Sequence, residues 1–272
     1  MIRFLPLAAM LLAAALAVPS SPANAAQSDW AEADNSRLRL LLVPGEDGTL
    51  SGGVEIALEP GWYTYWRTPG EAGIPPQLDF GGSDNVAAVE VHYPVPERHD
   101  DGTSLSLVYF DHVVFPLTVT PADPARPVEL RLDALYGVCE KICIPAKAAA
   151  AVALAEGAPD DPLARIAIGE ARRRVPGPPQ PGRLAVESVT LDGEALAIEA
   201  AVPPEGPVDL FAEGPADWYL GQPEPVARDG AAARFRLDLA GRPQEAAVAG
   251  QTFRFVVVGG GEAAEQDIEV AP

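Results

Sequence analysis

Residues 128–133 read VELRLD, and this short stretch decides the fold class. Apolar and charged side chains alternate in it, so a β-strand would place the apolar ones on one face and the charges on the other. Comparable short apolar runs recur along the chain, separated by many of its 29 prolines and 25 glycines. Turn residues that punctuate short apolar runs are typical of an all-β protein.

The predicted strands fall into two groups, one on each side of a stretch rich in proline and glycine. The first group comprises residues 37–43, 53–58, 62–66, 77–80, 86–93, 105–109, 112–120, 128–136 and a strand ending at 151–154; the second comprises 184–191, 195–201, 208–211, 233–239, 252–258 and 264–270. Asp192-Gly193 and the run of glycines at 259–261 predict hairpin turns in the second group. We therefore expect an all-β chain with two β-sandwiches.

The segment between the two groups predicts a short helix followed by a linker. Asp161 is suited to cap a helix that begins at Pro162, and Leu163, Ile166 and Ala167 would share its apolar face. Residues 177–182 (GPPQPG) cannot continue that helix. The expected organisation is a leader at 1–25, a first sandwich at 26–158, a helix and linker at 159–182 and a second sandwich at 183–272.

The first residues are typical of a secretory leader. Arg3 precedes an apolar run at 5–18 that is too short to favour a membrane span, and residues 23–25 (ANA) match a cleavage site. We expect the mature protein to begin near Ala26 and to reach the periplasm without inserting into a membrane. The net charge of −20 would repel nucleic acid and anionic lipid, so neither is an expected partner.

Cys139 and Cys143 are the two cysteines of the chain, and they enclose three residues in CEKIC. In an exported protein, such a pair is a disulfide, a redox-active dithiol or half of a metal site. The end of a β-hairpin would bring the two side chains within disulfide distance, and Gly137 and Pro145 favour a turn there. A bridge across so small a ring adds little stability, which favours a redox role and leaves a structural role open.

A metal site is the least favoured of the three readings. A closed site needs three or four ligands, and no spacing joins His92, His99 or His112, the only histidines, to the cysteines. Copper or zinc held by the cysteine pair and one histidine stays open as an alternative, but we expect no metal and no cofactor. Lys141 would favour a thiolate at the pair, and Glu140 would oppose it.

Three motifs resemble one protein family: residues 61–67 (GWYTYWR), 73–76 (GIPP) and 136–145 (YGVCEKICIP). Together they look like the periplasmic amino-terminal domain of the thiol:disulfide interchange protein DsbD, in particular the variant found in ScsB-type suppressors of copper sensitivity. The resemblance implies an immunoglobulin-like sandwich with the cysteine pair at one end. Tyr136 and Pro145, which belong to the same motif, would modulate the pair, as Glu140 and Lys141 would. A second sandwich fits the longer amino-terminal region of the ScsB type.

The resemblance also implies an activity, thiol–disulfide exchange. The domain would carry electrons from a membrane-embedded thiol reductant, or a thioredoxin-like protein, to oxidised periplasmic proteins. Cys143 would be the attacking thiol that forms the mixed disulfide, and Cys139 the resolving thiol. Two rival readings remain: a periplasmic binding module with an inert disulfide, and a dithiol that binds Cu(I).

A cap loop over the cysteine pair is a further implication of the resemblance. It would lie before the strand predicted at 105–109, near His99, Asp100 and Asp101. The aromatic residue expected in such a cap is missing there, and Tyr109 or Phe110 would substitute for it. The chain also lacks the membrane domain and the carboxy-terminal thioredoxin domain of the family, so we expect its electron donor to be a separate protein.

Overall fold

A computed structural model describes residues 26–155, 157 and 161–271, so the leader predicted at 1–25 lies outside the described residues. Nearly all regular structure in the described part is β-strand. The strands are β1 (Ala31–Ala33), β2 (Ser36–Pro44), β3 (Leu50–Leu58), β4 (Tyr63–Gly70), β5 (Gln77–Asp79), β6 (Val86–Val91), β7 (Glu97–Asp100), β8 (Leu105–Phe110), β9 (His112–Pro121), β10 (Val128–Cys139), β11 (Cys143–Leu154), β12 (Ala185–Asp192), β13 (Ala195–Ala201), β14 (Val208–Glu213), β15 (Glu224–Asp229), β16 (Ala232–Asp238), β17 (Thr252–Gly259) and β18 (Glu262–Glu269); the helix is α1 (Pro162–Arg172).

The strands β1 to β11 form a sandwich of two antiparallel sheets. One sheet has the order β1-β2-β3-β9-β6, and the other has the order β11-β10-β4-β8-β7 with β5 paired to β10. The alternation predicted at 128–133 is present in β10, where Val128, Leu130 and Leu132 are buried in the core. Trp66 and Phe115 are among the largest side chains of that core.

The strands β12 to β18 form a second sandwich, so the predicted all-β class with two immunoglobulin-like sandwiches is confirmed. Its sheets have the orders β12-β13-β16-β15 and β14-β17-β18, around a separate core that includes Phe253 and Phe255. Both predicted hairpin turns are present: β12 pairs with β13 around Gly193, and β17 pairs with β18 around Gly260-Gly261. These three glycines have φ between +62° and +80°, which side chains disfavour.

Three strands escaped prediction, and all three carry weak local signals. β1 has only three residues, β7 is polar throughout, and β15 contains Pro225. They lie at sheet edges. An edge strand can form by hydrogen-bonding to its one neighbour without an apolar pattern of its own. The strand expected to end at 151–154 is longer than its apolar end, since β11 already begins at Cys143 and pairs with β10 along its whole length.

The helix α1 has the predicted cap but a different buried face. The Asp161 side chain accepts hydrogen bonds from the backbone N–H groups of Leu163 and Ala164, as expected of the capping residue. The expected apolar face is wrong, because Leu163 is 73% and Ile166 is 56% exposed. The helix instead buries Ala164, Ile168 and Ala171 against Leu41, Val43 and Val114 on the outer surface of the first sandwich. Of the expected face, only Ala167 packs against this cluster.

The two sandwiches share a well-packed contact. The Trp66 ring of β4 lies 6.0 Å from the Phe211 ring of β14, and Phe211 and Val256 complete the core of the first sandwich. Arg67 donates to Glu213 at 2.8 Å and also pairs with Glu265. Burial by itself would lower the pKa of the Arg67 guanidinium, but the hydrogen bonds to Glu213 and then Glu265 hold that pKa above its ordinary value. Arg67 therefore stays charged in the contact.

The linker after the helix is attached to both sandwiches. The Val95 N–H donates to the Arg174 carbonyl at 2.9 Å, and the Gly177 N–H donates to the Ala263 carbonyl at 2.9 Å. Glu265 returns a hydrogen bond from its N–H to the Gly177 carbonyl at 2.8 Å. These bonds tie the linker to the segment before β7 in the first sandwich and to β18 in the second.

Candidate functional site

The cysteine pair lies at the end of the longest hairpin in the described residues. Cys139 ends β10, Cys143 begins β11, and the two residues are direct cross-strand partners with their Cα atoms 4.3 Å apart. A disulfide joins them, and residues 140–142 form the loop between the strands. The pair is thus held by a ladder that continues to Val128 and Leu154, so the strands stay together without the bridge.

The two sulfur-bearing residues differ in exposure. Cys139 is only 1% exposed and packs in a small apolar cluster with Tyr63, Tyr65 and Val108. Cys143 is exposed at the start of the edge strand β11. A partner molecule can therefore reach Cys143 from solvent, whereas Cys139 can be reached only from within the protein.

Tyr65 contacts both sulfurs of the disulfide through its hydroxyl group. The sequence did not identify it as a residue of the site. Its hydroxyl oxygen lies 2.9 Å from the Sγ atom of Cys139 and 2.9 Å from the Sγ atom of Cys143. Burial raises the pKa of the Tyr65 phenol well above its ordinary value, and the neighbouring Tyr63 raises it further. The hydroxyl therefore keeps its proton and can donate a hydrogen bond to either sulfur.

Two glycines leave space for the Tyr65 ring. A Cβ atom at Gly73, whose φ is +132°, would lie 2.3 Å from the ring, and one at Gly137 would lie 2.9 Å from it. The Gly137 N–H also donates to the Ile74 carbonyl at 3.0 Å, which holds the segment 73–76 against β10. The signal for Tyr65 was present in the alternation of 62–66, which places Tyr63 and Tyr65 on one face, but nothing local indicated that this face meets the cysteines.

The region expected to form a cap is the hairpin of β7 and β8. The His99 ring packs against the rings of Tyr63 and Phe110, with centroids 4.9 and 5.3 Å apart. Phe110 in turn packs against the cluster that contains Cys139. Tyr109 points the other way, into the main core, where its hydroxyl donates to the Pro94 carbonyl at 2.6 Å. Besides Tyr65, the aromatic residues beside the cysteine pair are therefore Tyr63, Phe110 and His99.

The acidic residues of this hairpin shape its turn. Asp101 accepts hydrogen bonds from the N–H groups of Ser104 and Thr103, which lower the pKa of its carboxyl group. Asp100 accepts from the Gly102 N–H at 2.8 Å. The Asp101 charge contributes to the raised pKa of both Tyr63 and Tyr65, so the turn acts electrostatically on the residues beside the disulfide.

The remaining predicted modulators occupy different places. Glu140 and Lys141 lie in the exposed loop between the cysteines, with the Lys141 Nζ atom 3.8 Å from a Glu140 carboxylate oxygen. Pro145 is exposed on β11 opposite Gly137. Tyr136 is buried in the main core, where its hydroxyl lies 2.9 Å from the Ser36 Oγ atom. Tyr136 therefore supports the sandwich beneath the hairpin and does not face the sulfurs.

The metal site considered as an alternative can be compared with the structure. Among residues 26–155, 157 and 161–271, no group of three histidine, cysteine, aspartate or glutamate side chains is arranged to hold a metal ion. The His92 ring lies 2.9 Å from the Thr118 hydroxyl, and the His112 ring lies 2.8 Å from a Glu55 carboxylate oxygen. In the same part of the chain, no helix has the length and apolarity needed to cross a membrane.

Comparisons with known proteins agree with this geometry. Residues 33–154 match the family model described as "Thiol:disulfide interchange protein DsbD, N-terminal", and residues 174–272 match a "Domain of unknown function (DUF8393)". No curated protein matches the chain. The crystal structure of the N-terminal periplasmic domain of ScsB from Proteus mirabilis is similar, with a TM-score of 0.72 and 21% sequence identity. The match covers 90% of this chain and 98% of that one, so the two share the tandem-sandwich fold.

The expected family is thus supported by a sequence model and by a fold. The matched segment contains the first sandwich except for the first two residues of β1, and it includes both cysteines, Tyr65 and the β7–β8 hairpin. Its family is one of thiol:disulfide interchange proteins, which agrees with a cysteine pair at disulfide distance. Residues 33–154 of this chain match the model of the DsbD N-terminal domain family, and the chain shares its fold with the N-terminal periplasmic domain of ScsB.

Proposed function

We propose that this protein passes reducing equivalents through the Cys139–Cys143 pair, from a membrane-embedded or thioredoxin-like thiol reductant to oxidised proteins in the periplasm. The observation that carries the proposal is the difference in exposure between the cysteines: Cys143 is open to solvent and Cys139 is 1% exposed. One reachable sulfur backed by one hidden sulfur is the arrangement that exchange through a mixed disulfide requires.

The exchange follows from these positions. In the reduced protein, the Cys143 thiolate attacks one sulfur of a partner disulfide, and the other partner sulfur leaves as a thiolate. The Cys139 thiol then loses its proton and attacks the Cys143 sulfur. The internal disulfide re-forms, the second partner thiolate is released, and two electrons have moved to the partner.

Tyr65 has a supporting role in this proposal. Its protonated hydroxyl lies within hydrogen-bonding distance of both sulfurs, so it can stabilise negative charge on whichever sulfur carries it. Charge moves between the two sulfurs during exchange, and a donor that reaches both serves each step. Glu140 and Lys141 are exposed and pair with each other, so we assign them a smaller effect on the sulfurs.

A structural role for the disulfide is less well supported. The bridge closes a loop of three residues, and the loop-closure entropy gained from so short a loop is small. The strands it joins are already paired from Val128–Leu154 to Cys139–Cys143.

We also propose a domain organisation for the chain. Residues 26–158 would form the redox unit and residues 183–272 a companion unit, joined by residues 159–182. Export to the periplasm is supported by the leader-like pattern of residues 1–25, and amino-terminal sequencing of the exported protein should begin near Ala26.

The first test is the reduction potential of the cysteine pair, measured by equilibration with glutathione or dithiothreitol buffers. We expect a value between about −120 and −270 mV, the range of known exchange proteins. The variant Cys139→Ala should accumulate a mixed disulfide through Cys143, and Cys143→Ala should form none. A potential below about −300 mV would indicate a structural disulfide and would replace the proposal with an inert binding module.

A further inference from the structure

The loop between the cysteines exposes a large apolar side chain. Ile142, which directly precedes Cys143, is 75% exposed. Short turns favour Gly, Asn, Asp and Ser, because these residues adopt turn conformations or hydrogen-bond to the backbone, and a β-branched apolar residue offers neither advantage. Since Ile142 is not buried by the fold, folding does not explain an isoleucine at this position.

An apolar row leads away from Ile142 across the sheet. Cys143 pairs with Cys139, Cys139 pairs with Tyr63, and Tyr63 pairs with Phe110, so the four residues lie side by side on four adjacent strands. Neighbouring strands are about 4.8 Å apart, which makes the row about 15 Å wide. His99 lies against Tyr63 and Phe110 at its far end. The exposed sulfur-bearing residue thus stands between an exposed isoleucine and an aromatic surface.

Exposed carboxylates are chain neighbours of this row: Asp100 follows His99, Asp111 follows Phe110, and Glu140 follows Cys139. Asp100, Asp101, Asp111 and Glu140 are all exposed, and Lys141 is the one cation in the loop between the cysteines. The Asp101 charge is close enough to affect the titration of Tyr63 and Tyr65 beside the disulfide. An approaching molecule therefore meets a negative field around an apolar centre.

We propose that Ile142, Cys143, Phe110 and His99, with the rim Asp100, Asp101, Asp111 and Glu140, form a docking surface for redox proteins that carry apolar side chains next to their reactive cysteine and Lys or Arg around it. The inference rests on the proposed exchange function and adds the chemistry of the partner. Ile142 supplies area that is buried only in the complex, and the rim steers and orients a basic partner.

Two reduced peptides can test this partner chemistry directly. One has the sequence Lys-Leu-Cys-Leu-Lys and the other Glu-Ser-Cys-Ser-Glu. A peptide thiolate attacks the Cys143 sulfur, the bond to the Cys139 sulfur breaks, and Cys139 leaves as a thiolate that takes up a proton. A second peptide thiolate then attacks the peptide sulfur of this mixed disulfide, so that a peptide disulfide is released and Cys143 leaves as a thiolate. The rate constant for loss of the protein disulfide is divided by that of the same peptide with the uncharged reference 2-hydroxyethyl disulfide. This ratio corrects for differences in intrinsic thiol reactivity without adding a charge effect.

We expect the basic apolar peptide to react about tenfold faster than the acidic polar one at about 20 mM salt, with a smaller ratio at about 500 mM salt because the rim is then screened. Ile142→Ser should slow the basic apolar peptide about fivefold and leave the acidic polar peptide unchanged. Asp111→Asn should reduce the ratio of the two peptide rates at low salt only. Asparagine tolerates the φ of +58° at this position.

Leu163→Ser provides the matched control, because Leu163 is 73% exposed but lies on α1, away from the cysteines. Equal normalised rates for the two peptides, or equal slowing by Ile142→Ser and Leu163→Ser, would overturn the docking surface while leaving exchange intact. Failure of both peptides and of dithiothreitol to reduce the disulfide would instead overturn the proposed function itself.

Discussion

At the residue scale, the candidate site depends on a phenol that cannot easily ionise. Tyr65 is buried, its hydroxyl lies 2.9 Å from both sulfurs, and glycines at positions 73 and 137 leave room for its ring. A side chain larger than hydrogen at either glycine would displace the ring. Substitutions at Gly73 and Gly137 are therefore expected to disturb the site, although neither residue carries redox chemistry.

Removal of the Tyr65 hydroxyl should slow the reaction of the reduced protein. In Tyr65→Phe the ring stays but the hydrogen bond to the Cys143 thiolate is lost, and such bonds to charged groups contribute about 1.5–3 kcal/mol. Less of Cys143 is then in the thiolate form, which slows its reaction, although the thiolate that remains is a better nucleophile. The net expectation is that alkylation of Cys143 by iodoacetamide near neutral pH slows by about threefold to tenfold. Unchanged alkylation would refute the role of Tyr65.

Tyr109→Phe is the control for that experiment. Its hydroxyl donates to the Pro94 carbonyl in the main core, so its loss should lower the free energy of unfolding by about 1 kcal/mol and leave alkylation of Cys143 as it was. Similar slowing in both variants would indicate a general loss of packing in place of a hydrogen bond at the sulfur.

At the element scale, the helix α1 illustrates how far an apolar pattern can mislead. Its sequence offers Leu163 and Ile166 for burial, but the sheet beneath it accepts the side with the smaller residues Ala164 and Ala171. Gly53 lies beneath Ile168, where an added Cβ would come within 3.4 Å of the isoleucine. The buried face thus depends on the shape of the sheet surface, and the periodicity of the helix sequence carries no information about that shape.

The difference between the two isoleucines of α1 is measurable. Ile168→Ala should lower the free energy of unfolding by about 2–4 kcal/mol, because it removes a buried side chain and leaves a cavity against Leu41 and Val114. Ile166→Ala should change it by less than about 0.5 kcal/mol, because that side chain is 56% exposed. Urea denaturation of both variants checks the assignment, and equal losses would contradict it.

At the scale of the whole molecule, the contact between the sandwiches depends on Arg67. It follows Tyr65 by two positions on β4, and it binds Glu213 and Glu265 of the second sandwich. Arg67→Ala leaves these carboxylates without their partner in a largely buried contact, so we expect the free energy of unfolding to fall by about 3 kcal/mol. Calorimetry should show one transition in the native protein and two in the variant.

Arg126→Ala is the matched control for the interface. Arg126 pairs with Asp84 at 3.5 Å, and both side chains are more than half exposed, so the variant should lose less than about 1 kcal/mol and keep a single transition. Two transitions in the native protein would show that the sandwiches unfold independently despite Arg67.

The tyrosines predict how stability depends on pH. Burial raises the pKa of Tyr63, Tyr65, Tyr93, Tyr109 and Tyr136 above the ordinary value of 10.0. Above that value the unfolded chain releases protons that the folded chain retains, so the free energy of unfolding must fall as pH rises. Urea midpoints should be constant up to about pH 9 and should drop by about pH 11, with a shallower drop in Tyr109→Phe. A flat profile would contradict the burial of these phenols.

Much of the architecture follows from local pattern alone. The period-two alternation at 128–133, the turn glycines at 193 and 260, and the Asp161 cap each depend on residues within a few positions of one another, and each appears as expected. The same holds for the cysteine hairpin, because a three-residue loop between paired strands leaves the two side chains opposite each other. The sequence by itself therefore determined the all-β class, the two sandwiches and the hairpin that brings the two cysteines together.

Tertiary structure decided the rest, since sheet order is not a local property. Tyr65 reaches Cys139 across 74 positions of the chain, and Arg67 reaches Glu265 across 198. The exposure of Cys143, the burial of Cys139 and the choice of helix face depend in the same way on which strands become neighbours and which lie at an edge. The alternation of apolar and polar residues predicts which side chains of a strand face the core, but only the tertiary packing determines which residues they contact.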